Sequence, residues 1–149
     1  MWVLKAWNCE VYVSTREKRH QSIASDLGAA WVGDALATPP RKLDAAITFA
    51  PVGDVVIAAL GSLDKGSILA INAIHLDRMP RFDYDTLLWG ERQIRSVTNM
   101  TRADAREFLK IAAEISLAPR VQTFPLEQAN QALLALKSDE VSSSAVIIR

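Results

Sequence analysis

The stretch LDAAITFAPVGDVVIAAL, residues 43–60, has the pattern of a buried strand that is followed at once by a helix. Its first part, 43–50, is an apolar run of the length expected for a strand covered on both faces. A Pro-Val-Gly turn at 51–53 ends the strand, and Asp54 is placed to cap a helix over 55–63. Strand, tight turn and helix in this order form the unit from which parallel α/β sheets are built.

The same alternation continues on both sides of this stretch. Further strands are predicted at 10–14, 30–32, 67–71, 93–98, 120–123 and 145–148, and helices at 1–8, 16–27, 101–115 and 126–137. Thr101 and Asp104 have the spacing of a capping box, whereas the segment 75–90 has no clear period and 142–144 is predicted to be a loop. We therefore predict an α/β fold with a mostly parallel sheet flanked by helices.

Composition limits the possible partners of the chain. With 149 residues and 50% hydrophobic content, one sizeable core is expected. Lys+Arg and Asp+Glu both number 17, so no overall field attracts nucleic acid or an anionic membrane, and no apolar run is long enough to span a bilayer. Cys9 is the single cysteine, which excludes an internal disulfide and favours a reducing compartment, the cytoplasm. A small ligand, a nucleotide or another protein stay open as partners.

Five blocks of the chain together carry a resemblance to a known family. They are VYVSTREKRHQSIASDLGAAWVGD, LDAAITFAPVGDVVIAAL, KGSILAI, LLWGERQIRSVTNMTRADAREFL and FPLEQANQALLALK. In this order and spacing they closely resemble the carboxyl-terminal part of zinc-type alcohol dehydrogenases of the medium-chain dehydrogenase/reductase superfamily. The resemblance covers essentially the whole chain.

The resemblance implies an incomplete Rossmann-like fold, a doubly wound, mostly parallel sheet flanked by helices. Residues 1–118 are expected to form a partial dinucleotide-binding domain, and 119–149 a return segment that in the family packs on the catalytic domain. The first strand, the glycine-rich phosphate loop and the zinc ligands of the family are not matched within the chain. The unmatched first strand would lie in the middle of the sheet, where backbone groups need partners. We expect this gap to be closed in one of three ways: by the segment 1–7, by direct pairing of the two half-sheets, or by a second chain.

The turn after the strand at 10–14 is a candidate nucleotide site. On the residues alone it is an ordinary strand-to-helix turn with Thr15 as a helix cap. The resemblance implies that it contacts the adenosine ribose. Small hydroxyl side chains with cations suit a 2′-phosphate, which favours NADP(H) over NAD(H). The candidate residues are Ser14, Thr15, Arg16 and Arg19.

Two further segments follow predicted core strands, and a third lies at the end of the strand predicted at 93–98. Ligands of such sheets gather beyond the carboxyl ends of the strands. The alternative for each segment is that it simply begins a connecting loop and contacts no ligand. The resemblance implies cofactor contacts from the first two segments and the nicotinamide end for the third. Their residues are Phe49, Ala50, Pro51 and Val52, then Asn72, Ala73 and Ile74, and then Ser96 and Thr98.

No catalytic residue and no metal ligand is assigned within the chain. Cys9, His20 and His75 lie on separate predicted elements without ligand spacing, although zinc is expected for the full-length family. The chain departs from the family pattern at three places. The family prefers glycine at the positions of Asn8 and Ser67, and a Gly-Ala or Gly-Arg pair at 143–144, where the arginine of some members contacts the pyrophosphate. These departures are expected to weaken cofactor binding.

Two functions are therefore expected. The first is an alcohol dehydrogenase-like oxidoreductase fragment, the NAD(P)-binding part of an enzyme that interconverts alcohols and aldehydes or ketones, and not competent alone. The alternative is a non-enzymatic oligomeric scaffold. The resemblance also implies a homo-oligomer, because family members dimerise through the region that corresponds to residues 79–98.

Overall fold

The computed structural model of the protein describes residues 1–141 and 144–149, in two compact units, Met1–Phe108 and Leu109–Arg149. The helices are α1 (Trp2–Ala6), α2 (Lys18–Asp26), α3 (Gly53–Ser62), α4 (Tyr84–Leu87), α5 (Arg102–Glu114) and α6 (Ala129–Lys137), with a 3-10 turn at Leu126–Gln128. The strands are β1 (Tyr12–Ser14), β2 (Trp31–Gly33), β3 (Leu43–Thr48), β4 (Leu63–Ile71), β5 (Gln93–Ser96), β6 (Val121–Pro125) and β7 (Ser144–Ile148). Ser142 and Ser143, part of the predicted loop and one of the family departures, lie outside the described residues.

A three-stranded parallel sheet in the order β3-β4-β5 is the centre of the first unit. Helix α3 packs against β3 and β4. The buried core lies between them and consists of Val56, Leu60, Leu63, Leu69 and Ile71. Each large aliphatic side chain removed from water in this way stabilises the fold by about 1.5–3 kcal/mol.

Strands β1 and β2 form a separate parallel pair, in which Tyr12 faces Trp31 and Ser14 faces Gly33. Helix α2 packs on this pair. β1 is not paired with β3, so the part of the chain that the structure describes contains the expected doubly wound sheet as two separate pieces. The segment 1–7 is mainly the helix α1 rather than a strand, and the two half-sheets do not pair with each other within 1–141 and 144–149. Two of the three expected ways to close the gap are therefore not seen.

The second unit contains a βαβ arrangement. β6 and β7 are parallel, with Phe124 opposite Ile147, and α6 packs on both strands. Ala132 and Val141 are its buried apolar residues. The fold class, an α/β protein with parallel sheets and flanking helices, is thus confirmed. The boundary expected between 118 and 119 stays a prediction.

The expectation that β3 is covered on both faces was wrong. Leu43, Ala46 and Thr48 are buried or half-buried, whereas the side chains between them are exposed, because α3 covers one face of the strand. In the segment 75–90, for which no element was predicted, the structure has the short helix α4, which begins after Asp83. No helix among the described residues is both long enough and apolar enough to cross a membrane.

Candidate functional site

The carboxyl ends of β3, β4 and β5 lie side by side. Thr48 is opposite Ile71, and Ile71 is opposite Ser96. The pairing continues past the strands, because the Asn72 N–H donates to the Thr48 carbonyl at 2.8 Å and the Val97 N–H donates to the Ile71 carbonyl at 2.9 Å. The structure therefore brings together three of the predicted segments, 49–52, 72–74 and 96–98, which we call the carboxyl edge.

The carboxyl edge presents apolar and polar groups next to each other. Phe49 and Ile74 have 68% and 89% of their surfaces exposed, and the side chain of Asn72 is also exposed. Thr48 lies beneath the edge, and its buried Oγ1 has no hydrogen-bond partner among the described residues. Exposed apolar side chains offer contact area to a flat ring, and an amide can donate and accept hydrogen bonds at the rim of that ring.

A carboxylate from the loop after β4 is hydrogen-bonded to the turn after β3. The Gly53 N–H, the first of α3, donates to Asp77 Oδ1 at 2.8 Å, and the Asp77 N–H donates to the Pro51 carbonyl at 3.2 Å. The prediction that Asp54 caps this helix was wrong: α3 begins at Gly53, and the N-cap position is Val52, which offers no side-chain acceptor. Asp77 fills this role from 24 residues away in the chain.

Asp77 was missed from the sequence because its partner is remote. The one signal that pointed to it is indirect: a helix that starts after Val52 has no acceptor of its own for its first N–H groups, and such groups need a partner. A carboxylate in a loop after the neighbouring strand is one group that can reach them.

The turn after β1 is the other predicted group. The Thr15 N–H donates to the Gly33 carbonyl at 3.0 Å, and Gln21 Nε2 donates to the Thr15 carbonyl at 2.7 Å. Glu17, not Thr15, is the N-cap of α2, because the chain enters the helix two residues later than predicted. Gln21, which sequence reasoning did not single out, fixes the turn, while Arg16 is exposed beside it.

Ser14, Thr15 and Arg16 therefore stand at the carboxyl end of β1, and Arg19 in the first turn of α2. They lie around the end of the β1–β2 sheet and not at the carboxyl edge. Each group follows a parallel strand, as predicted, but no strand pairing joins the two sheets within the described residues.

Backbone hydrogen bonds lower the pKa of three carboxyl groups in the first unit, those of Asp77, Asp83 and Asp104. The Gly53 N–H, followed by the Arg78 N–H, lowers the pKa of Asp77. The Thr86 N–H lowers the pKa of Asp83, and the Thr101 N–H does so for Asp104. In each case the donated bond stabilises the ionised form.

Other features of the first unit do not add to the carboxyl edge. A shallow depression of 590 Å³ lies near the beginning of β4 and β5, at the opposite end of these strands, and is lined by Lys65, Tyr84, Trp89 and Arg92 among others. No three His, Cys, Asp or Glu side chains in 1–141 and 144–149 are grouped so as to hold a metal ion. Cys9, His20 and His75 are thus not brought together.

One curated relative shows what the chain is similar to. It is described as "Probable alcohol dehydrogenase AdhA" of Mycobacterium tuberculosis, and it is 47% identical over 146 residues. The match covers 98% of this chain and 42% of the relative, so the chain spans less than half of that protein's length. No family model matches the chain.

Solved structures share the fold at low sequence identity. The alcohol dehydrogenase of Aeropyrum pernix superposes with a TM-score of 0.79 at 21% identity, over 99% of this chain and 45% of that one. Acetophenone reductase from Geotrichum candidum, in complex with NAD, gives 0.81 at 19%, over 99% and 44%. The protein named CAD from Helicobacter pylori, complexed with NADP(H), gives 0.77 at 15%, over 98% and 42%.

The lowered carboxylate pKa values predict an acid-sensitive fold. A carboxyl group with a folded pKa below its unfolded value of about 3.9 stabilises the native state above that value. This stabilisation is lost as the pH falls through the lowered folded pKa. We expect the free energy of unfolding to decrease from pH 5 to pH 3, and Asp104→Asn, which leaves an uncharged acceptor at the start of α5, to reduce that decrease.

Urea unfolding at pH 7, 5, 4 and 3 measures this effect. Asp44→Asn on the exposed face of β3 is the matched control, since it also removes one carboxylate. An Asp104→Asn profile that runs parallel to the unsubstituted protein at every pH would refute the assignment.

Proposed function

We propose that this chain, which is similar over 98% of its length to an alcohol dehydrogenase and resembles the carboxyl-terminal part of the zinc-type enzymes, supplies the dinucleotide-binding part of an oxidoreductase. The reaction of the whole protein is the interconversion of alcohols with aldehydes or ketones. The observation that carries the proposal is the carboxyl edge, where three segments that follow parallel strands meet.

The carboxyl edge suits one face of a bound dinucleotide. Ligands of open parallel sheets bind beyond the carboxyl ends of the strands. In our proposal Phe49 and Ile74 supply the apolar contact that excludes water, and Asn72 orients the ligand through its amide. Ser96 and Thr98, from the third segment, contact the nicotinamide end. The cofactor, when bound, supplies the hydride acceptor or donor, and the residues of this chain bind and orient it.

The turn after β1 supports a preference for NADP(H) over NAD(H). Ser14 and Thr15 are small hydroxyl residues, and Arg16 is an exposed cation beside them. A guanidinium matches the geometry of a phosphate and forms charge-assisted hydrogen bonds with it. We propose that Arg16, with Arg19 from α2, receives the 2′-phosphate of NADP(H).

The 149 residues are proposed not to oxidise alcohols by themselves. Polarising a carbonyl in a zinc-type enzyme needs a metal held by several side chains, and the described residues contain no such group.

We assign residues 1–118 to the dinucleotide-binding domain and 119–149 to a return segment. We place the protein in the cytoplasm because Cys9 is a free, exposed thiol. Zinc and the substrate belong to the proposal for the whole protein.

A second candidate function, an oligomeric scaffold, rests on exposed apolar side chains in 79–98. Met79, Tyr84, Trp89 and Val97 are all more than two-fifths exposed, and β5 pairs within the described residues with β4 alone. Such a surface next to a strand with an unpaired edge favours burial against a second copy. A homo-oligomer formed through this region is compatible with either function.

Titration with nucleotides tests the proposed function. We expect NADPH to raise the thermal midpoint of the purified 149-residue chain more than NADH does at the same concentration. Ligand at 100 times its dissociation constant adds about 2.7 kcal/mol to the unfolding free energy. The same samples should show no zinc-dependent alcohol oxidation.

The outcome also separates the two candidate functions. Absence of any shift at millimolar NADPH and NADH, with a stable oligomer by light scattering, would favour the scaffold over the cofactor site. Zinc-dependent turnover of alcohols by the 149 residues would contradict the proposal that they are not competent alone.

Arg16→Gln tests the 2′-phosphate contact. Loss of one charge-assisted hydrogen bond costs about 1.5–3 kcal/mol, so adenosine 2′,5′-bisphosphate should bind about tenfold more weakly or worse by calorimetry. AMP, which lacks the 2′-phosphate, should be unaffected. Arg106→Gln, an exposed arginine of α5, is the control. Equal losses for both ligands would mean that Arg16 does not read the 2′-phosphate.

A further inference from the structure

We infer that Asp77 is a positioning residue that fixes two segments of the carboxyl edge, 49–52 and 72–74, relative to each other. This inference rests on the proposed function, because the edge it stabilises is the candidate nucleotide site. Within the described residues Asp77 forms no hydrogen bond with segment 72–74, so its effect on a ligand is indirect.

Asp77 both accepts a hydrogen bond from the turn after β3 and donates one to it. Its Oδ1 accepts from the Gly53 N–H at 2.8 Å and from the Arg78 N–H at 2.6 Å. Its own N–H donates to the Pro51 carbonyl at 3.2 Å. The loop after β4 is therefore tied by side chain and main chain to the turn after β3.

Close packing at Gly53 is a second and independent observation. Gly53 is buried, and a Cβ at this position would overlap the Arg78 carbonyl oxygen and approach Pro80 Cδ to 2.6 Å. The main chain that follows Asp77 thus rests directly against the first turn of α3. Only a residue without a side chain permits this approach.

The segment between Ile71 and Asp77 is only partly held by the core. Ala73 and Leu76 pack against the buried cluster, whereas Asn72, Ile74 and His75 are exposed. One end is fixed by the strand pairing at Ile71 and the other by Asp77. Without the second anchor the segment samples more conformations, and a ligand that needs one of them must order it on binding.

A simple stabilising role for Asp77 is separable from this positioning role. Asp83 caps α4 in the same chemical way, accepting from the Thr86 N–H at 2.8 Å, but it lies after segment 72–76 and outside the carboxyl edge. Asp83→Ala therefore removes a carboxylate cap without touching the loop anchor, and serves as the matched control. Asp77→Asn keeps an acceptor oxygen and serves as the conservative rescue.

The experiment combines calorimetric titration with NADPH and amide hydrogen exchange on the full 149-residue chain and its variants. For Asp77→Ala we expect about tenfold weaker NADPH binding, the scale of one lost cap, and faster exchange in 72–78. Asp77→Asn should restore most of both, and Asp83→Ala should change neither. Should Asp77→Ala not fold, Asp77→Glu, which keeps the charge but moves the carboxylate away from the Gly53 N–H by one methylene, is measured in its place, with the same expected changes.

Each outcome decides the inference. If Asp77→Ala lowers stability but keeps the unsubstituted affinity and exchange pattern, Asp77 is only a helix cap and the inference is overturned. If the unsubstituted chain does not bind NADPH, the proposed function fails. Amide hydrogen exchange in 72–78 then decides by itself whether Asp77 anchors this loop. Faster exchange in 72–78 for Asp77→Ala but not for Asp83→Ala supports it, and equal exchange overturns it.

Discussion

Parallel pairing of β3, β4 and β5 is the constraint on which the rest of the first unit depends. Strands that run in one direction end at one edge, and the register that places Thr48, Ile71 and Ser96 in a row also places the residues that follow them. A slip of one residue would turn each inward side chain outward and separate Leu69 from the core. The buried contact with α3 thus fixes the register, and the register determines the position of the candidate site.

The sequence predicted the features that depend on local pattern. The apolar run before Pro51 and the strand beginning at Gln93 were recognised from composition and turn residues. The capping box at the start of α5 is confirmed: the Asp104 N–H donates to Thr101 Oγ1 at 3.2 Å, and the Thr101 N–H donates to Asp104 Oδ2 at 2.6 Å. Both partners lie three residues apart, within reach of a spacing rule.

Features that depend on distant partners were not predictable in the same way. The start of α3 is stabilised by Asp77 rather than by Asp54, and only the fold brings the loop after β4 to that helix. Which face of β3 is covered likewise depends on where α3 packs. The gathering of 49–52, 72–74 and 96–98 followed from the rule that parallel strands end at one edge, but their binding of a dinucleotide stays a prediction. The role of Ser14, Thr15, Arg16 and Arg19 also stays a prediction, because no strand pairing in the described part of the chain links β1 to the edge.

The most direct test of the central claim is a map of amide chemical shifts as NADPH is added to the isotope-labelled chain. We predict that the shifts change at the carboxyl edge, in 49–52, 72–74 and 96–98, and at the turn of 14–16. NADH should perturb the carboxyl edge with a smaller effect at 14–16. Saturable changes confined to other parts of the chain, or none at millimolar nucleotide, would contradict the claim that these strand ends form a dinucleotide site.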